Sequence, residues 1–213
     1  MILPEHEANR LLAAAGVPVI PVRIVDSGQE AKTEAADLGY PVVLKLSSSK
    51  HSHKTEIGGV YLNLATGLDV EDAFGKLAKL RERLDVQARI IVEPMARSGA
   101  EFFIGYQHHP QFGPVMSLGL GGISLELYKD VAFRLLPAST ADFREMLGEL
   151  KCWPKLQKGF RNLPPVSESH VLQLLEQVAE FVLHRFEVKE LDLNPVVVRS
   201  DGALVVDAAI VMG

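Results

Sequence analysis

Apolar residues recur along the chain with two spacings, and each change of spacing marks a new element. Pro4 to Ala15 follows the helical period, opens near a proline and stops at Gly16, which predicts a first helix. Val19 to Val25 reads as a strand. Ser27 and Glu30 form a capping box that opens a helix closed by Gly39. Val42 to Leu46 is a continuous apolar strand, expected to be buried on both faces. After a polar loop, Gly59 to Leu64 returns as a strand. Asp69 to Leu84 carries Val70, Phe74, Leu77, Leu80 and Leu84 on one helical stripe, and Arg89 to Glu93 is again a strand.

After Pro94 the texture changes. Glu101 to His108 and Pro114 to Leu120 read as strands joined by a turn around Pro110, and Gly119 to Gly122 breaks the second. Val131 to Leu136 is a further strand, and Ser139 with Asp142 opens a helix. Residues 151 to 165, with Pro154, Gly159, Pro164 and Pro165, read as irregular. Ser167 to Arg185 has the clearest helical period, through Val171, Leu174, Leu175, Val178, Phe181 and Val182. Glu190 to Arg199 and Ala203 to Ile210 form a hairpin across Ser200-Asp201-Gly202. Mixed helices and strands with antiparallel pairings predict an α+β fold in two lobes, residues 1–95 and 96–213.

Composition narrows the function classes. A chain of 213 residues that is 47% hydrophobic can bury a sizeable core. A net charge of −5 argues against nucleic acid as the main partner. One cysteine, Cys152, allows no disulfide within the chain and fits a reducing compartment. The N-terminus lacks the pattern of a secretory leader, and no apolar run approaches the ~18 residues that would cross a bilayer. The expectation is a soluble cytoplasmic protein with no membrane partner.

Lys45 to Val60, KLSSSKHSHKTEIGGV, stands apart from this background. It combines three cations (Lys45, Lys50, Lys54), two histidines (His51, His53), hydroxyl side chains and the pair Gly58-Gly59. A phosphate group calls for that mixture: fixed positive charge, hydroxyl and backbone donors, and glycine where the backbone approaches closely. A neutral imidazole adds a candidate nucleophile for a phosphoryl group. The bland readings are a solvated strand-end lysine, a surface histidine and a plain glycine turn.

The segments EHEANRLLAAAGVPV, GYPVVLK, HKTEIGGV, IIVEPM, AEFFIGYQHHPQFGPV, GLGGI, KDVAFRLLP, ELDLNPVVV and VVDA, in this order, resemble the ATP-grasp domain of the NDP-forming acyl-CoA synthetases, in the form of their separate β subunit. Where that family has Ser-Pro-Asp before its HK[ST] motif, this chain has Ser48-Ser49-Lys50. The resemblance implies an ATP-grasp fold whose two α+β lobes hold ATP or ADP and Mg2+ between them. It implies reversible conversion of acyl-CoA, ADP and phosphate into acid, CoA and ATP. It also implies a partner α subunit that binds CoA and carries a phosphorylated histidine, the two forming a heterotetramer; acid selectivity would reside in that partner.

The resemblance assigns roles residue by residue. Lys45 would bind nucleotide phosphate, and His53 would receive a phosphoryl group from the α subunit and pass it to ADP. Lys54 could neutralise the phosphoryl oxygens, and Gly58 and Gly59 could offer backbone amides to phosphate. Glu93 and Met95 sit where such chains cross between lobes and would read the adenine edge, with Glu101 on the ribose. Arg134 could steady the transferring phosphoryl group, and Glu126 could hold metal or orient its loop. Asn194 and Asp207 are the metal candidates, with Asp192 on the same face by alternation. A turn of two or four residues makes Asn194 and Asp207 diagonal neighbours roughly 7–8 Å apart, whereas a three-residue turn changes the parity. Two other readings stand beside this one. One is a regulatory nucleotide-binding module of the kind fused to acetyltransferases. The other is an ATP-grasp ligase joining a carboxylate to an amine, against which His53 argues.

Overall fold

A computed structural model describes residues 1–51, 54–121, 130–160 and 163–213. The described residues form two compact units. The first comprises Met1–Arg10 and Ile20–Ala96; the second comprises Leu11–Val19 and Arg97–Gly213. Residues 11–19 therefore group with the second unit instead of following the sequence order of the two expected lobes. The chain is α+β, as the pattern of periods predicts, and no described helix is long and apolar enough to cross a membrane.

The first unit is built on a four-stranded antiparallel sheet in the order β1 (Arg23–Val25), β4 (Arg89–Pro94), β2 (Val42–Ser47), β3 (Val60–Leu64). Helices α2 (Gly28–Leu38) and α3 (Gly67–Leu84) pack on it. Their stripes, including Ala31, Ala35, Val70 and Leu77, meet Val42, Leu44, Leu46, Ile90 and Val92 in one core. The alternate residues of β2 point the other way and are also buried, so this strand is covered on both faces. The first strand is shorter than its sequence pattern. Pro18 and Pro21 have no N–H to give a ladder, and Val19 instead forms a parallel bridge with Val205 inside the second unit.

The second unit holds a six-stranded antiparallel sheet. Its order is β10 (Ala208–Met212), β8 (Val188–Arg199), β5 (Ala100–His109), β6 (Gly113–Leu120), β7 (Val131–Leu135), and β9 (Gly202–Val205) also pairs with β8. Helices α4 (Thr140–Gly148) and α6 (Glu168–Leu183) cover one face. The predicted stripe of α6 is buried throughout, from Val171 to Val182. Between them lies a single turn, α5 (Trp153–Leu156), in a stretch expected to be irregular; Pro154 sits in its first positions, where a missing N–H costs no helical bond.

The capping signals divide instructively. Ser139 and Asp142 make both halves of a capping box. At α2 the Ser27 hydroxyl accepts from the Glu30 N–H, but the Glu30 carboxylate turns back to the Asp26 N–H. At α3 the sequence pattern places the start at Asp69, whereas the structure begins the helix at Gly67, behind a full box made by Thr66 and Asp69. Replacing Thr66 by Ala should cost about 1 kcal/mol of stability, read from a urea unfolding curve with an unchanged slope.

Candidate functional site

The buried second face of β2 is polar at its end. Alternation turns Val43, Lys45 and Ser47 away from the α2–α3 core. The Lys45 Nζ lies 2.9 Å from Glu5 Oε1 and 2.7 Å from Glu93 Oε1. Glu93 reaches it from the neighbouring strand, where Val43 pairs with Glu93 and Lys45 with Ile91. Glu5 comes from the first turn of α1 (Glu5–Ala14), and its second oxygen, Oε2, receives Lys54 Nζ at 2.5 Å. Lys45, Lys54, Glu5 and Glu93 are 5%, 9%, 4% and 1% exposed, so four charges sit out of water together. Taking four charges out of water costs about as much as their mutual attraction returns, so such a cluster is weak evidence of a stabilising device and points to a functional site. Beside it the His6 Nδ1 is 2.9 Å from the Ser47 hydroxyl. Burial pushes this imidazole below its ordinary value, so it is neutral at pH 7.

The polar loop that follows is held at both ends. At its entry the Ser48 hydroxyl donates to Asp85 Oδ2 at 2.6 Å and accepts from the Lys50 N–H, while Lys50 Nζ donates to Asp85 Oδ1 at 3.2 Å. Asp85 is the residue that ends α3. At the exit the Leu46 N–H donates to the Gly59 carbonyl, and the Lys54 carbonyl accepts from the Gly59 N–H. Gly58 adopts φ +72°, where a side chain would be strained, and its N–H donates to the Thr55 carbonyl. The expectation that Gly58 and Gly59 present amides to a ligand is corrected here: both N–H groups are spent closing the loop. Two further readings, one of a backbone N–H and one of a side chain, change in the same way. The Met95 N–H donates to the Pro41 carbonyl, and the Glu93 carboxylate is turned onto Lys45. His53 and Glu126 lie outside the described residues.

In the second unit one sheet register carries the acidic residues. Arg199 pairs with Gly202, so the turn is two residues long, not three. The register then runs unbroken through Val196–Val205 and Leu193–Ala208 to Asp192–Ala209. The Asn194 N–H donates to the Asp207 carbonyl at 3.1 Å, and Val206 donates to the Pro195 carbonyl. Asn194 and Asp207 are therefore directly opposed, not diagonal, which in a regular ladder brings their Cβ atoms to roughly 4.5–5.5 Å. Pro195, which has no N–H, sits where the pairing of β5 with β8 slips by one residue. Asp192 shares the face by alternation, opposite Gly105. Glu101 and Phe103 lie on that same face of β5, away from the helices.

Arg134 is on the other side. Phe133 follows Ser117, Gly105 and Asp192 across the sheet, whereas Arg134 pairs with the fully buried Met116. Its guanidinium donates to the Asp142 carbonyl, to the Phe133 carbonyl and, at 2.6 Å, to Glu149. The expected place of Arg134 among the phosphate-contacting groups is corrected: the structure ties it to α4 and the residue that follows, opposite the face bearing Asp192, Asn194 and Asp207. Sequence reasoning also missed Glu5, Asp85 and Ser48. The one signal for Glu5 was an acid at a helix start, which the helix dipole explains equally well. Cys152 is chemically quiet, its thiol pushed up to about 12 by burial and the Asp130 carboxylate.

Residues 1–212 match the ATP-grasp domain family model. The chain is 34% identical over 213 residues to the β subunit of ADP-forming acetate–CoA ligase I of Pyrococcus furiosus, covering 99% of this chain and 91% of that one. A solved structure of the dinucleotide-forming acetyl-coenzyme A synthetase 1 of Ca. Korarchaeum cryptofilum, in complex with coenzyme A, Ca-AMPCP and HgCl+, is 36% identical. It covers 100% of this chain and 93% of its own, with a TM-score of 0.93. Another structure of that enzyme, with coenzyme A and Mg-AMPPCP and its phosphohistidine segment pointing towards the nucleotide binding site, has 35% identity and a TM-score of 0.86, covering 100% and 93% of the two chains. The chain belongs to the ATP-grasp domain family. Within that family it is a homologue of the β subunits of ADP-forming acetate–CoA ligases.

The Asp85 anchor gives a pH-dependent prediction. The Ser48 hydroxyl, with help from Lys50 and the Gln87 N–H, holds the Asp85 carboxyl below its ordinary value of 3.8. A carboxyl whose value is lower when folded adds stability above 3.8 and loses it as pH falls through the lower folded value. Asp85→Asn should therefore cost about 1–3 kcal/mol at pH 7. In urea unfolding measured at several pH values, its stability should converge on that of the wild type below pH 3.8.

Proposed function

We propose that this chain is the nucleotide-binding β subunit of an ADP-forming acyl-CoA synthetase, an acid–CoA ligase that needs an α subunit for the full reaction. The observation that carries this reading is the end-to-end likeness to a separate β subunit, over 99% of this chain and 91% of that relative. The α partner would bind CoA and a small carboxylic acid and would bring a phosphorylated histidine, in a heterotetramer of two copies of each chain working in the cytoplasm.

The chain's own residues supply charge and position. Lys45 and Lys54 are buried ammoniums and would bind the phosphate oxygens of ATP or ADP. His53 would take the phosphoryl group from the partner's phosphohistidine: the P–N bond to the donor ring breaks as one to the His53 ring forms. A phosphate oxygen of ADP then attacks that phosphorus and leaves His53 neutral again. Glu101, on the polar sheet face, would accept from the ribose hydroxyls. Asn194 and Asp207, with Asp192 beside them, offer opposed hard oxygen donors with no sulfur or imidazole, which suits Mg2+. When bound there, Mg2+ would spread the negative charge of the nucleotide phosphates. Arg134 would serve the packing of β7 on α4.

Co-expression with the candidate α subunit, followed by addition of labelled ATP and magnesium, tests the phosphoryl-carrier role. Acid-labile label is expected on this chain, and His53→Ala should abolish it. Undiminished labelling of the variant removes His53 from the mechanism. In the same preparation Asp207→Asn should raise the magnesium needed for half-maximal labelling about tenfold or more, through loss of a charged ligand.

A further inference from the structure

We propose that Glu5 is a positioning residue for the nucleotide phosphates: its carboxylate holds the Lys45 and Lys54 ammoniums as one preorganised pair. This rests on the nucleotide-binding reading above. Each Glu5 oxygen takes a different ammonium, Oε1 that of Lys45 and Oε2 that of Lys54. The partners lie 40 and 49 residues further along the chain, so no local turn brings them together. Lys45 is also held by Glu93, and Glu5 reaches both lysines.

The chemistry favours an active role over a structural one. Two lysines on a strand end and a loop would repel each other if brought out of water without a counter-charge. A carboxylate between them makes the shared position affordable in charge and fixes both long side chains before a ligand arrives. Their rotamer freedom is then surrendered on folding instead of on binding. An ammonium carries three N–H donors, so being held by a carboxylate and donating to a phosphate are compatible. The carboxylate is suited to its place. It stands in the first turn of α1, where the helix N-terminus favours negative charge, and the backbone there is fixed by Pro4, whose carbonyl accepts from the Glu7 and Ala8 N–H groups. For stability alone, apolar groups of similar size in place of the whole charged set would serve as well.

The test is a calorimetric titration of the chain with ADP in excess magnesium, on the wild type, Glu5→Gln, Lys54→Met and the two combined. Circular dichroism and a melting curve establish that each variant is folded. Glu5→Gln should weaken ADP binding about tenfold or more. The combined variant should lose less than the product of the two single losses, because the part of the Glu5 effect that runs through Lys54 is already gone and only the part that runs through Lys45 is left. Wild-type affinity in Glu5→Gln overturns the proposal, as does a combined loss equal to the product of the single losses; a purely structural Glu5 gives one of these results. If Glu5→Gln does not fold, the charge-balanced combination carries the test. It should fold and bind ADP more weakly than the wild type, and a Lys54→Met that binds like the wild type then overturns the assignment. A folded wild type that binds no ADP overturns the nucleotide reading itself, whereas binding by the wild type with no effect of Glu5→Gln overturns the Glu5 assignment alone.

Discussion

Two ammoniums resting on one buried carboxylate set the terms for the first unit. β2 must satisfy them while keeping its other face in the α2–α3 core, and strict alternation lets six residues do both. Glu93 can join only because β4 lies next to β2 with Val43 opposite it. The loop after β2 must return Lys54 to the same carboxylate. The Asp85 anchor at its entry and the glycine closure at its exit define where it turns back. Electrostatics here acts as a constraint on topology, because a misplaced element would leave a charge buried and unmatched.

The second unit solves a different problem with a sheet of two unlike faces. The face under α4 and α6 is apolar, and its edge strand is fastened by the Arg134 fork as well as by packing. The opposite face carries Glu101, Asp192, Asn194 and Asp207 and has small residues at Gly105 and Ser117. A Cβ at Gly105 would lie 2.4 Å from the Ser117 hydroxyl and 2.6 Å from the Phe103 ring, so this glycine is what lets the ring lie across the strand. The polar face owes its arrangement to register, which fixes which side chains share a surface.

Much of this was legible in the sequence, and what was not has specific causes. The helical stripe of α6 and the doubly buried β2 are encoded by periodicity, which survives folding unchanged. The Ser139 box is local and equally readable, while the Thr66 box has the same spacing but stands ahead of an apolar stripe that begins only at Val70, which sets the apparent start too late. The metal candidates were found by likeness, but their direct opposition required the turn length, and Gly202 reads as a turn residue until its pairing with Arg199 is seen. Arg134 misled because a strand residue's face depends on register with β6, which no local pattern reveals. Glu5 was invisible as a site residue because both of its partners are distant in sequence.

The two-residue tip at Ser200 and Asp201 carries more than a connection. Exposed hairpin tips are ordinarily where lineages gain and lose residues most freely. Here the ladder transmits any such change along both strands to Asp207. An indel of one residue would swing that carboxylate to the apolar side of the sheet unless a bulge absorbed it. An indel of two would keep it on its side and slide it past Asn194. Descendants of this chain are thus free to vary the tip in composition, but in length only by even steps that also move the partner residue.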